Sequence, residues 1–442
     1  MTDVRPFRAL RYDPQRVELS RVLAPVYDVV APEDRPLYWE RDPYNALRLE
    51  LTRNVEEEAA TDYSETAGRL AEWRRAGVLV RDPEPALYVL RQTFTAPDGR
   101  ALARTGFLAA LRLEDYARRI VRPHERTLAG PKADRLKILR ATRVNLSSVF
   151  LLYDDRAGEL ERVLEAALAG AGAIEASDDA GIAHRLAPLR DDAAVALIQK
   201  FLEPRPVVIA DGHHRYETAL AFRDERRAAG ERETEAPPER ILAYFANAFA
   251  PGSLLLPIHR LVKKEPAQGD AAWARLTGWE RRDILVGAAG AIPAALAQHL
   301  APLASRHAFA ADDGSGRVAI FSRPADAELT VRVLHREVLD GVFGLDDAAV
   351  RDGAVDFPKS ALQTARDVRS GRGAVALYLN PLRPDDVFRV TEAGETLPQK
   401  STFFFPKLPT GLLFRTLEPD LPRAAPGAAG PPRAAPSAAG SE

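Results

Sequence analysis

Short, fully apolar runs alternating with helical patterns predict a mixed α/β (α+β) fold. Two observations carry most of this reading. Ala86–Leu90 and Val149–Tyr153 are strand-like runs, whereas Leu160–Leu168 repeats its apolar positions at helical spacing. A third is the run Val207–Ala210, which breaks at Asp211-Gly212 into a further helical pattern. A hydrophobic share of 46% over 442 residues suffices for a large core, and the length suggests two or three domains.

The first block, residues 1–113, is expected to be an N-terminal α/β unit. Its segments Pro25-Val26-Tyr27-Asp28 and Asp42-Pro43-Tyr44-Asn45 read as loops, with Pro25, Tyr27, Asp28 and Asn45 shaping turns through side-chain hydrogen bonds. A strand pair turning at Pro97-Asp98-Gly99 follows.

The second block, residues 114–265, opens on Ile120-Val121 running into Arg122-Pro123-His124-Glu125-Arg126-Thr127. From Arg122 to Arg143, the cations Arg122, Arg126, Lys132, Arg135, Lys137, Arg140 and Arg143 meet only the carboxylates Glu125 and Asp134. Such density suits a bound phosphorylated ligand, or else a solvated basic helix. Glu125 among these cations would stay ionised and could accept a proton from a hydroxyl nucleophile.

Further along the same block, Val207–Ala210, Asp211-Gly212 and His213-His214-Arg215 read as strand, tight turn and helix start. Helix starts present N–H groups without intrahelical partners, and their dipole favours anions. Gly212, lacking a Cβ, allows close approach, Arg215 offers a charged fork, and Asp211 could hold a divalent ion or cap the helix. The competing reading is an ordinary turn, with the histidines satisfied by carbonyls and Arg215 paired to Glu217.

The third block, residues 266–420, ends in Lys400-Ser401-Thr402-Phe403-Phe404-Phe405-Pro406-Lys407. This reads either as an aromatic wall beside an anion cradle of Lys400, Ser401, Thr402 and Lys407, or as an edge strand with Phe404 facing the core. His184-Arg185 and His259-Arg260 lie beside apolar stretches and suit core or rim positions. Residues 421–442, rich in Pro, Ala, Gly and Ser, are expected to be disordered.

Composition narrows the classes. With no cysteine, disulfides, thiolate ligands and cysteine nucleophiles are excluded. A formal net charge of -2 supplies no global field for nucleic acid or membrane, so a nucleic-acid partner is not expected. With no apolar leader and no window of membrane-spanning length, a cytoplasmic protein is expected. Walker, G-x-G-x-x-G, H-E-x-x-H and G-x-S-x-G signatures do not occur.

Together, Ile209–Ala219, Arg122–Thr127 and Lys400–Lys407 resemble a broad prokaryotic family catalogued as domain of unknown function 1015, the likeness running from Arg5 to about Leu417. Val26 stands where a second proline is expected and Leu397 where methionine is expected. Asp211–Arg215 is also similar to the motif of the ParB/sulfiredoxin-like fold, which includes the free-serine kinases. That resemblance implies a central nucleotide-binding core elaborated by N- and C-terminal α/β blocks. It further implies catalytic roles for Glu125, as base, with His124 and Asp211. Phosphate contacts would come from Gly212, His213, His214, Arg215, Arg122, Arg126, Lys132, Lys400, Ser401 and Thr402.

The expected activity is that of a small-molecule kinase using ATP or ADP with Mg²⁺, held at Asp211, to phosphorylate a free serine-like hydroxyl. Its partners would be the nucleotide and a small hydroxylated metabolite, with a homodimer also expected. The alternatives are a metal-dependent hydrolase of a phosphorylated metabolite, with His124, Asp211, His213 and His214 as ligands, or a nucleotide-sensing or DNA-binding ParB-like module.

Overall fold

The computed structural model describes residues 1–54, 61–125, 129–231, 233–398 and 400–418, so Arg126 and the 421–442 tail lie outside the described residues. Mixed α/β architecture is what the chain adopts. Its larger sheet, nine-stranded among the described residues, runs Val121–Arg122, Val207–Asp211, Val149–Tyr153, Arg240–Asn247, Ala101–Arg112, Leu87–Thr95, Ala183–Leu189 and Ile174–Ser177, and Val4–Arg5 adds to Ala101–Arg112. Strands from both sides of residue 113 therefore share one sheet.

The apolar runs form strands because each is buried on both faces. Val207, Val208 and Ile209 are fully buried, as are Val149 and Leu151, and each such side chain contributes roughly 1.5–3 kcal/mol. Separate apolar clusters cover the two faces of the sheet. The hairpin forms at the predicted place, with Ala96 N–H donating to the Arg100 carbonyl at 2.8 Å across the turn. Gly106, in the next strand, has no room for a side chain, since a Cβ there would sit 2.2 Å from the Phe245 carbonyl oxygen.

A second, antiparallel sheet orders Glu280–Leu285, Arg317–Pro324, Arg306–Asp312, Val375–Leu379, Arg260–Val262 and Val355–Asp356. After it the chain returns to pack against one face of the first sheet, in two short two-stranded ladders of its own. Phe403–Phe405 pairs with Leu254–Leu256, Arg415–Thr416 pairs with Val144–Asn145, and Leu397 N–H donates to the His124 carbonyl at 2.7 Å. This return carries the Lys400–Lys407 segment to the end of the Val207–Asp211 strand.

Candidate active site

The Val207–Asp211 strand pairs parallel to Val121–Arg122 and antiparallel to Val149–Tyr153, and its register slips between Ile209 and Asp211, where Asp211 faces Phe150. A bulge of this kind re-aims the side chain that follows it. Gly212 then takes φ +86, a left-handed conformation that costs a residue with a Cβ roughly 1–2 kcal/mol, and the helix His213–Ala228 begins. A Cβ at Gly212 would also lie 2.9 Å from the Arg215 guanidinium carbon.

Asp211 is gripped by two cations. Arg215 Nη2 donates to its Oδ2 at 2.6 Å and Lys407 Nζ donates to Oδ1, while Arg215 Nη1 donates to the Ser148 carbonyl. Burial raises the Asp211 carboxyl, but Lys407 and Arg215 outweigh it and hold the group well below the usual carboxylate range. The turn is therefore closed internally by Arg215, which bonds Asp211 rather than Glu217.

Hydrogen bonds fix the protonation of two histidines. A carbonyl only accepts, so His124 Nδ1 carries its proton toward the Ile209 oxygen, and neutral His124 then accepts at Nε2 from Thr402 Oγ1, 2.7 Å away. His124 backbone N–H donates to His213 Nε2 at 3.3 Å, so that nitrogen too is an acceptor. Burial lowers both imidazoles, and for His213 the neighbouring His124 lowers it further. The rings meet edge to face at 4.7 Å, and Glu125 Oε1 lies 3.8 Å from His124 Nε2.

Two residues that the sequence reading set low or passed over join this group. Asp28, assigned there to loop shaping, is open to solvent yet closely surrounded by protein; that crowding raises its carboxyl, and Asp211 raises it further, against the pull of Arg215, Lys407 and Lys400. Lys359 stands 4.1 Å over the Phe403 ring, and Lys407 lies 5.3 Å from the same ring. Partial burial and the charges of Lys407 and Lys400 lower the Lys359 ammonium. An isolated Lys after Pro358 carries no sequence signal. Asp28 had a faint one in its Tyr-Asp pair, since Tyr27 faces Arg215 at 6.0 Å.

The remaining candidates divide. Thr402 reaches His124, and Lys400, at φ +56, acts on Asp28, whereas Ser401 is buried with its hydroxyl donating to the Pro398 carbonyl at 2.6 Å. Arg122 Nε donates to the Arg119 carbonyl at 3.2 Å. The basic segment becomes the helix Ala129–Thr142, whose cations are met by protein carboxylates: Lys132 by Glu217 at 2.9 Å, Arg135 by Glu50 at 3.2 Å and by Asp134, and Arg140 Nε by Glu225 at 3.0 Å. Asn45 is buried and shapes its loop, its amide donating to the carbonyls of Arg21 and Leu23 at 2.8 and 3.1 Å. His184 is likewise buried, 2.9 Å from Asp178.

Metal ligation at Asp211 does not fit this geometry. Both of its oxygens are bonded by cations, both His124 nitrogens are taken, and among the described residues no group of three or more His, Asp or Glu could hold a metal ion. The hydrolase expectation, which needs His124, Asp211, His213 and His214 as ligands, finds no support in the arrangement. Among the described residues no helix is long and apolar enough to cross a membrane.

A family model described as "Protein of unknown function (DUF1015)" matches residues 4–281. No curated protein matches. Among solved structures, a free serine kinase in complex with AMP is 14% identical at a TM-score of 0.35, covering 66% of this chain and 89% of that one. A conserved hypothetical protein from Pyrococcus furiosus is 12% identical at 0.33, covering 67% and 92%. SbnI with a C-terminal truncation, from Staphylococcus aureus, is 10% identical at 0.33, covering 71% and 90%. Superpositions this loose carry no chemistry from those proteins to this one.

Proposed function

The chain belongs to the DUF1015 family of proteins of unknown function, and we propose that it is a nucleotide-dependent small-molecule kinase acting on a free serine-like hydroxyl. One observation carries the reading. Lys359, Lys400 and Lys407 gather at the open end of the Val207–Asp211 strand, beside the start of a 16-residue helix and two carboxylates, Asp28 and Glu125. Phosphoryl transfer asks mainly for positioning and charge neutralisation, which lysines and helix-start amides supply.

Tyr216 N–H makes the first helical bond, to the Gly212 carbonyl at 3.0 Å, which places the amides of His213 and Arg215 in the first turn, ahead of the intrahelical ladder. These amides and Lys400 are proposed to take the phosphates of ATP or ADP, with Lys359 closing over them. Arg215 orders the turn from within, through Asp211. Mg²⁺ would arrive with the nucleotide, and no residue of the chain is assigned to it.

Glu125 is proposed as the base for the acceptor hydroxyl, next to the neutral His124. Asp28 is the competing carboxylate, because its raised proton affinity suits a base. The test is phosphorus NMR of the purified protein with ATP or ADP and a panel of hydroxylated amino acids. Conversion of free serine is the expected result, with Glu125→Gln slower by about 10²–10⁴-fold and still binding nucleotide. Full activity in Glu125→Gln together with loss in Asp28→Asn would move the base to Asp28, and no transfer to any acceptor would overturn the kinase reading.

A further inference from the structure

Away from the motif, at the far end of the His213–Ala228 helix, lies a cavity of about 790 Å³, within the range of small-molecule sites. Seven arginines and four glutamates line it, leaving an excess of three positive charges. Its most buried cations are Arg240 and Arg415, at 5% and 6% exposure. The Arg415 guanidinium is held in place by donating to the carbonyls of Arg240 and Pro237, at 2.8 and 2.9 Å. Higher on the wall stand Arg8 and Arg81, both half-buried, and Arg143, which is exposed.

The glutamates are largely committed. Glu231 is bonded by Arg226, Glu235 by Arg240 at 3.3 Å, and Glu418 by Arg74 at 3.0 Å. Thr416, 5% exposed, also lines the cavity, and among the described residues its hydroxyl has no hydrogen-bond partner. A buried hydroxyl without a partner is costly to leave unsatisfied, and a ligand atom could satisfy it. Phe7, Phe222 and Pro237 supply an apolar side.

Arg143 takes φ +49 at the end of the Ala129–Thr142 helix, a place where glycine is usual, and so sets a guanidinium at the rim. It belongs to the basic segment that the proposed active site leaves unused. By helix rise, Arg226 lies about 20 Å from the motif, too far for one small ligand to bridge.

We propose that this cavity is a second ligand site, for a small phosphate-bearing molecule with an apolar portion. Planar guanidinium forks suit phosphate oxygens, and the Phe222 side suits a ring. The helix dipole opposes an anion at this end, so the arginine excess is what makes the site work.

The test is calorimetric titration of the full chain with phenyl phosphate, AMP and inorganic phosphate. Phenyl phosphate or AMP is expected to bind at this cavity more tightly than inorganic phosphate. Arg143→Glu, at the exposed rim, and Arg8→Glu should each weaken that binding by about tenfold or more, since a charge-assisted hydrogen bond contributes roughly 1.5–3 kcal/mol. Lys400→Ala, at the motif, should leave phenyl phosphate binding unchanged, whatever it does to AMP binding at the motif. Absence of binding by all three probes at millimolar concentration would overturn the proposal. So would equal binding in Arg143→Glu with folding verified by circular dichroism, loss of phenyl phosphate binding in Lys400→Ala instead, or a preference for inorganic phosphate. None of these outcomes depends on whether the chain transfers phosphoryl groups.

Discussion

Asp211 shows how one carboxylate can order a turn by answering two cations from different parts of the chain. Arg215 is only 9% exposed at its side chain and Lys407 22%, so removing their shared partner leaves positive charge where water reaches poorly. Asp211→Ala is therefore expected to lower stability by about 3–5 kcal/mol, read from urea midpoints. A loss below about 1 kcal/mol would mean that Asp28 or water takes over the pairing. The residue types at this turn were legible in the sequence; their pairing was not. Arg215 could have turned outward to Glu217, and only the bulge before Asp211 together with the arrival of Lys407 from the third block selects the inward arrangement.

At the scale of elements, the strand–turn–helix unit was readable because buried strands need continuous apolar residues and Gly212 marks a left-handed position. Gly212→Ala should cost about 1–2 kcal/mol from backbone strain alone, and more because the new methyl group meets Arg215. An unchanged urea midpoint would contradict the assigned geometry. The basic helix tells the opposite story. Seven cations in 22 residues suggested an anion, yet apart from Asp134 the answering carboxylates sit on other elements, Glu217 and Glu225 on the motif helix and Glu50 near the N-terminus. Local charge counts miss partners brought by folding. Arg140 and Glu225 are both well exposed, at 52% and 40%, so Glu225→Gln should change stability by less than about 1 kcal/mol in a urea titration. A larger loss would show that this pair clamps the two helices together.

Across the whole molecule, buried neutral histidines couple folding to pH. Burial lowers His124 and His213, and burial with the Arg260 charge lowers His259 to about 3 and His335 to about 4. The unfolded chain takes up protons on these groups from about pH 6.5, whereas the folded chain resists, so stability must fall as pH drops below that value. Each histidine contributes a slope of up to about 1.4 kcal/mol per pH unit until its folded value is passed, and Asp211, also depressed, adds to the loss below about pH 4. Urea midpoints that stay level from pH 7 to pH 5 would contradict this account.

The site itself is a whole-molecule property. The loop carrying Asp28 in the first block, the motif in the second, and Lys359, Lys400 and Lys407 in the third meet only because the chain returns from its second sheet to the first, a long-range pairing that no local pattern encodes. The central claim, that nucleotide phosphates bind at this meeting point, is tested most directly by a crystal structure of the protein with ADP. Phosphate oxygens within hydrogen-bond distance of the His213 and Arg215 amides and of Lys400 are the predicted result. ADP seated elsewhere, with those amides and lysines untouched, would contradict it.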